Sequence, residues 1–169
     1  LLNSEDIISD AYENGVPMGS DLVLKEDQSP SFFIWAAKDP RKTSLQRIQI
    51  VKGWVEDGEG KEEVIDVACS DGLSVDPDTN RCPDNGATVD LTNCEITPNK
   101  GAKELSVVWK DNNFSQDQRA FYYVRVLENP TCRWSTYDAI RAGVKPRPGM
   151  KATIQDRAWS SPIWYQPNT

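Results

Sequence analysis

The chain contains no histidine. That removes the commonest general base and the commonest metal ligand, so neither a Ser-His-Asp nor a Cys-His site can be assembled within it. Basic residues are also in deficit: 19 Lys and Arg stand against 26 Asp and Glu, a formal net charge of -7. Such a chain has no electrostatic footprint for nucleic acid, and anionic membranes should repel it. Long hydrophobic runs are lacking too; stretches such as "FFIWAA" are far too short to span a bilayer. CxxC spacing is missing among the four cysteines, Cys69, Cys82, Cys94 and Cys132. A zinc site would need all four thiolates at irregular spacing, a poor match to known sites. Two disulfides are the better reading, and they imply an oxidising compartment. Three pairings are open. Cys69 ends a strand beside a long loop, which favours Cys82 or Cys94 as its partner.

What is present fits one domain. A chain of 169 residues is long enough to bury a core without depending on staples. "LLNSEDIISDAYENG" has no basic n-region and no long apolar h-region, so it is not a signal peptide. It reads as a helix beginning in mid-protein. Asn3 or Ser4 can cap it, Glu5 and Asp6 fill the first turn, and Gly15 is placed to end it. Ile7, Ile8 and Ala11 make a short apolar stripe. A lone helix of this length is marginal in water, so the stripe must pack on something.

From there the pattern turns to strands. "SFFIWAA" is a compact apolar run, expected to be covered on both faces. "RIQIVKGWV" places Ile48, Ile50 and Trp54 on one face. Asp57-Gly58 signals a tight turn, and "EEVIDVAC" places Ile65, Val67 and Cys69 together, which predicts a β-hairpin. Residues 70–87 are polar and rich in turn formers, a loop long enough to be functional or disulfide-pinned. "TVDLTNCEI" is expected to hold a short strand, and "ELSVVWK" alternates Leu105, Val107 and Trp109 against Ser106 and Lys110. "RAFYYVRVLE" is the strongest strand, and "KATIQDRAW" and "SPIWY" close the series. Short strands at short intervals with two brief helices predict a mainly β fold, an antiparallel β-sandwich of immunoglobulin-like type.

Within "RAFYYVRVLE", Tyr122, Val124 and Val126 share one face, read as the core side. Phe121, Tyr123, Arg125 and Leu127 share the other. Both faces are too apolar for a strand with one side in water. The second face is therefore covered by a loop or helix, or docked against another domain. The next segment, "NPTCRWSTYDAIRAG", reads as a strand-to-helix connection. Asn129-Pro130 ends the strand, Ser135 is the expected N-cap with Asp138 three residues on, and Gly143 stops the helix. Cys132 should pin this connection and Trp134 should wedge it against the core.

Three further patterns bear on chemistry. Most acidic residues fall in turns and polar loops, where a solvated surface is the default. Asp76, Asp78 and Asn80 have the alternating oxygen spacing of a calcium loop. However, Arg81 stands where that loop needs glycine and Ala87 where it needs glutamate, so a plain turn-rich loop is expected. The six tryptophans invite a sugar-stacking reading, but Trp54 and Trp109 lie on core-like faces, and burial is the commoner fate of such rings. Asn113 opens an "NFS" glycosylation sequon, which matters only in a secreted eukaryotic protein.

Several stretches resemble a known family when taken in order: "NGVPMGSDL", "FFIWAAKDP", "RIQIVKGW", "DVACSDG", "RCPDNGATVDL", "QRAFYYVRVLENPTCRWSTYDAIRAG" and "IQDRAWSSPIWY". They are similar to the C-terminal part of the bacterial exported proteins of domain-of-unknown-function family 3604. That family is related to the polymerase-and-histidinol-phosphatase superfamily of metal-dependent phosphoesterases. The resemblance implies that residues 1–22 are the last helix and connector of an upstream catalytic barrel, and residues 23–169 the β-sandwich that follows it. It implies a periplasmic or secreted location, a divalent metal held by the barrel, and no cofactor or catalytic residue in this chain. The parent protein would be a metal-dependent phosphate- or sulfate-ester hydrolase, and the chain alone inactive. The expected partner is the barrel or a second copy, meeting the face of Phe121, Tyr123, Arg125 and Leu127. A carbohydrate-binding or adhesion module is the alternative.

Overall fold

Alternating apolar positions need a second layer to bury them, and the chain supplies it with two sheets. The computed structural model describes residues 6–167. In chain order the elements are α1 (Ile7–Asn14), β1 (Asp21–Leu22), β2 (Ser31–Ala37), β3 (Leu45–Glu56), β4 (Glu59–Cys69), β5 (Glu104–Lys110), β6 (Ala120–Glu128), β7 (Thr131–Cys132), α2 (Trp134–Ala142), β8 (Thr153–Ile154), β9 (Arg157–Trp159) and β10 (Ile163–Tyr165). The larger sheet has six strands in the order β1-β10-β6-β3-β4, with β9 also paired to β6. β2 and β5 form a two-stranded sheet against it, and β7 pairs β8. The pairings are antiparallel except β1 with β10. The result is a mainly β, sandwich-like fold with two short helices.

The core lies between the two sheets. Phe32 and Ile34 from β2 meet Ile48 and Ile50 from β3, Val67 from β4, and Ala120 and Tyr122 from β6. Leu105, Val107 and Trp109 close it from β5, and Val124 and Val126 extend it along β6. β6 is central, as its pattern predicts. β3 and β4 join through Asp57 and Gly58, both at positive φ, the backbone that a two-residue hairpin turn requires.

Four local expectations are corrected. β2 is covered on one face only: Trp35 points outward and is 56% exposed. A register shift between Ile48 and Gln49 puts both Val67 and Ala68 against the core. Cys69 is thereby moved opposite Arg47, off the face of Ile65 and Val67. "TVDLTNCEI" forms no strand, only a bridge between Val89 and Ile96. Cys94 sits at positive φ, which a continuous strand does not tolerate. Finally, α2 begins at Trp134, one residue before the expected cap Ser135, and Arg133 occupies the N-cap without a side-chain hydrogen bond. Trp134 is consequently 76% exposed rather than wedged in the core. Gly143 does end α2 in a left-handed conformation, with its N–H on the Ile140 carbonyl.

Candidate docking face and buried polar sites

The outer face of the large sheet carries the odd-numbered residues of β6 and, from Arg47 onward, of β3. Opposite Phe121 stand Gly53 on one side and Trp164 on the other; Val51 lies opposite Tyr123, and Gln49 and Trp159 lie opposite Arg125. Phe121 stacks almost parallel on Tyr123, centroids 6.3 Å apart, and tilts against Trp164 at 5.3 Å. A Cβ at Gly53 would run into the Phe121 ring, so glycine there lets the ring lie flat over the backbone. Arg125 donates from Nε to Gln49 Oε1 at 2.7 Å. Trp159 and Trp164 are 59% and 46% exposed. Phe121, Tyr123 and Arg125 are thus half-buried on one open face, while Leu127 is fully buried at the end where the long loop is anchored.

α1 offers a second uncovered apolar surface. None of its residues is buried; Ile8 and Tyr12 are exposed, as are Val16 and Met18 in the segment that follows it. Its N-cap is Asp6, whose Oδ1 accepts from Ser9 N at 3.3 Å. The expected capping residues Asn3 and Ser4, and Glu5, lie outside the described residues. The connector after α1 is part of the sheet: Gly19 N donates to Pro162 O, and Trp164 N to Ser20 O.

The other half of the outer face is sealed by the loop between β4 and β5. Cys69 is bonded to Cys82, and Cys94 to Cys132. Disulfides of this kind form and persist in oxidising compartments. Among the described residues no helix is long and apolar enough to cross a membrane. Asn85 is the hub of the polar contacts. Its Nδ2 donates to Asn129 Oδ1 at 2.9 Å, Asp71 Oδ2 at 3.0 Å and Ser70 Oγ at 3.2 Å, and its Oδ1 accepts from Gln46 Nε2 at 3.1 Å. Burial opposes ionisation of Asp71, but hydrogen bonds from Ser70, the Gly101 N–H and Asn85, with the Lys100 charge, hold its carboxyl below the usual range. Buried Asp66 accepts from Cys82 N at 2.8 Å and Gln49 Nε2, and faces Arg47 and Arg81.

Of the calcium-loop residues, Asp76 uses Oδ1 to accept from the Asp78 and Thr79 N–H groups, an Asx turn that shapes its own loop. Asn80 is held by backbone, its carbonyl accepting from Asp66 N. Among the described residues no group of three His, Cys, Asp or Glu side chains converges as a metal site. A shallow depression is lined by Arg133, Trp134, Ser135, Met150, Ile154 and Asp156. Near its Asp156 wall, burial and then the Asp156 charge hold the Glu128 carboxyl above the usual range; its Oε2 is buried without a hydrogen-bond partner.

Pattern reading missed one buried site. Lys52 Nζ sits 2.6 Å from Asp111 Oδ2, with side chains only 5% and 4% exposed. Tyr122 Oη donates to the same oxygen at 2.7 Å, and Asp111 Oδ1 accepts from Asn113 N at 2.9 Å. Lys52 also donates to Asn113 O at 3.2 Å and lies over the rings of Trp54 and Tyr122. Burial first, then the hydrogen bond to Asp111, holds the Tyr122 phenol above its ordinary range. The signal was present: position 52 falls on the core face between Ile50 and Trp54, where a lysine must find a buried anion.

The chain matches, over residues 1–167, the model of the family described as "Protein of unknown function (DUF3604)". It belongs to that family. No curated protein and no solved structure matches it.

Proposed function

We propose that this chain is the C-terminal accessory β-sandwich of an exported hydrolase, a metal-dependent enzyme of the polymerase-and-histidinol-phosphatase superfamily acting on phosphate or sulfate esters. The sandwich braces the catalytic barrel and shapes the mouth of its cleft. The divalent metal and its ligands belong to the barrel. The observation that carries this reading is the pair of uncovered apolar surfaces: the α1 stripe, and the ring cluster of Phe121, Tyr123 and Trp164 on the open half of the large sheet. An eight-residue helix with no fully buried residue gains little from this sandwich, and a helix so short needs packing to be stable in water. The missing histidine, and acids that do not converge among the described residues, support a non-catalytic role. Hydrolysis of model phosphate and sulfate esters by residues 1–169 should stay at background with zinc, manganese or iron, whereas the full-length protein should turn them over. Turnover that co-purifies with residues 1–169 and disappears on substituting their own acids would overturn the reading.

A second reading is a carbohydrate-binding or adhesion module. Trp159 beside Arg125 and Trp164 beside Phe121, both exposed, share one face with Tyr123 between them, which suits stacking on sugar rings. Retardation on immobilised glycans that is lost in Trp159→Ala and Trp164→Ala would favour it over barrel docking.

A further inference from the structure

We propose that Lys52 and Asp111 condense into an intramolecular amide that staples the two sheets together. The structure holds them unlinked but placed for the reaction. Lys52 comes from β3 in the large sheet. Asp111 directly follows β5 in the small one, and its backbone N–H is fixed on Pro30 O at 3.1 Å. Nucleophile and carboxyl are 2.6 Å apart and almost wholly shielded from water. Fixed geometry of this kind turns an unfavourable bimolecular encounter into a unimolecular step with a high effective concentration.

Each atom of the carboxyl has a partner suited to the step. A proton passes from the Lys52 ammonium to the Asp111 carboxylate across their hydrogen bond, leaving a neutral amine and a carboxylic acid. Nζ then attacks Cγ. Charge developing on Oδ1 meets the Asn113 N–H, already 2.9 Å away, in the manner of an oxyanion-hole donor. Oδ2 departs as water, with the Tyr122 hydroxyl hydrogen-bonded to it at 2.7 Å. Of the three ammonium hydrogens, one stays on the amide nitrogen and two leave with the oxygen, so no oxidant, reductant or co-reactant is needed. The product also replaces a buried ion pair, whose desolvation opposes folding, with a neutral amide.

The test is the intact mass of the full chain after complete reduction and denaturation. We expect it to lie one water below the sequence mass, with a branched peptide joining Lys52 to Asp111 in tandem mass spectra after proteolysis. Lys52→Arg should restore the full mass for its sequence. Asp111→Asn should reach the same final mass as the parent, by losing ammonia instead of water. Tyr122→Phe should slow the loss in freshly made protein. Full sequence mass in both fresh and aged parent protein, with no branched peptide, would overturn the proposal and identify a permanent ion pair. That outcome would leave the accessory-domain reading untouched.

Discussion

Gly53→Ala is the sharpest probe of the outer face. Gly53 is buried in the middle of the sheet, and its backbone is not in the left-handed region, so alanine is conformationally allowed. On backbone grounds alone the change should stabilise by about 0.4–1 kcal/mol, by restricting the unfolded chain. The obstacle is Phe121. An added Cβ would overlap its Cζ and Cε1 and stand 3.1 Å from Cε2, inside the ~3.5–4.0 Å of ordinary carbon contact. The ring has little room to retreat, because Tyr123 stacks on it and Trp164 leans against it. Overpacking of this kind costs about 1–3 kcal/mol, so the net loss should be about 0–2.6 kcal/mol. Urea unfolding followed by tryptophan fluorescence measures it. In a Phe121→Ala background the clash is gone, and Gly53→Ala should become neutral or stabilising. The cycle should therefore show a coupling of roughly 1–3 kcal/mol. Equal, small effects of Gly53→Ala in both backgrounds would refute the packing argument.

Four other outcomes follow from the same structure. Asn85→Ala leaves Gln46, Asn129 and Ser70 without their buried partner and should lower stability by about 2–4 kcal/mol in chemical denaturation. The two disulfides close separate loops with sequence separations of 13 and 38. Loop-closure entropy gives them ~2.9 and ~3.9 kcal/mol, so replacing Cys94 and Cys132 by alanine should lower the melting temperature more than replacing Cys69 and Cys82. Val124→Ala should cost about 1–3 kcal/mol by removing methyls packed on the core, with an unchanged urea m-value. Glu128 binds its proton more tightly in the fold than outside it, so its contribution is present below the ordinary glutamate range and lost as pH rises through its raised value. Glu128→Gln should therefore raise the melting temperature at pH 7 and not at pH 3; a gain independent of pH would contradict this.

Much of the framework was legible because it depends on local rules. Asp57-Gly58 can adopt the positive φ of a tight turn, and Leu105, Val107 and Trp109 alternate as a half-buried strand must. Tyr122, Val124 and Val126 reach the core for the same reason. The failures lie where a residue's role is set by something distant. Cys69 changed faces because an extra residue bulges at Val67, and strand alternation carries no mark of a bulge. Ser135 looked like a cap, but Arg133 and Thr136 are tied to the Ala152 carbonyl, and that anchorage starts α2 earlier. Trp134 then faces outward with the new register.

The two-sided burial of β3 shows why the candidate site was the hardest part to read. On its core side Lys52 breaks an apolar series, and its partner Asp111 lies just past the end of β5 in the other sheet, beyond a strand that gave no hint of it. On its outer side Gln49 is buried, where an alternation reading would place it in water, and Gln46 is buried at the register shift between Leu45 and Arg47. They are buried because polar groups meet them there: the loop after β4 brings Asn85 to Gln46, and Asp66 of β4, itself held by the Cys82 N–H of that loop, accepts from Gln49. A loop with no strand of its own can seal a sheet only if its backbone and side-chain polar groups find partners there. The polar residues of β3 and the turn-forming residues of the loop are therefore one unit. The cover stops before Gly53, where no polar hub reaches and the face is finished by the rings of Phe121, Tyr123 and Trp164. The change from polar seal to aromatic surface along a single sheet separates a half covered by the chain's own loop from a half whose rings stay open.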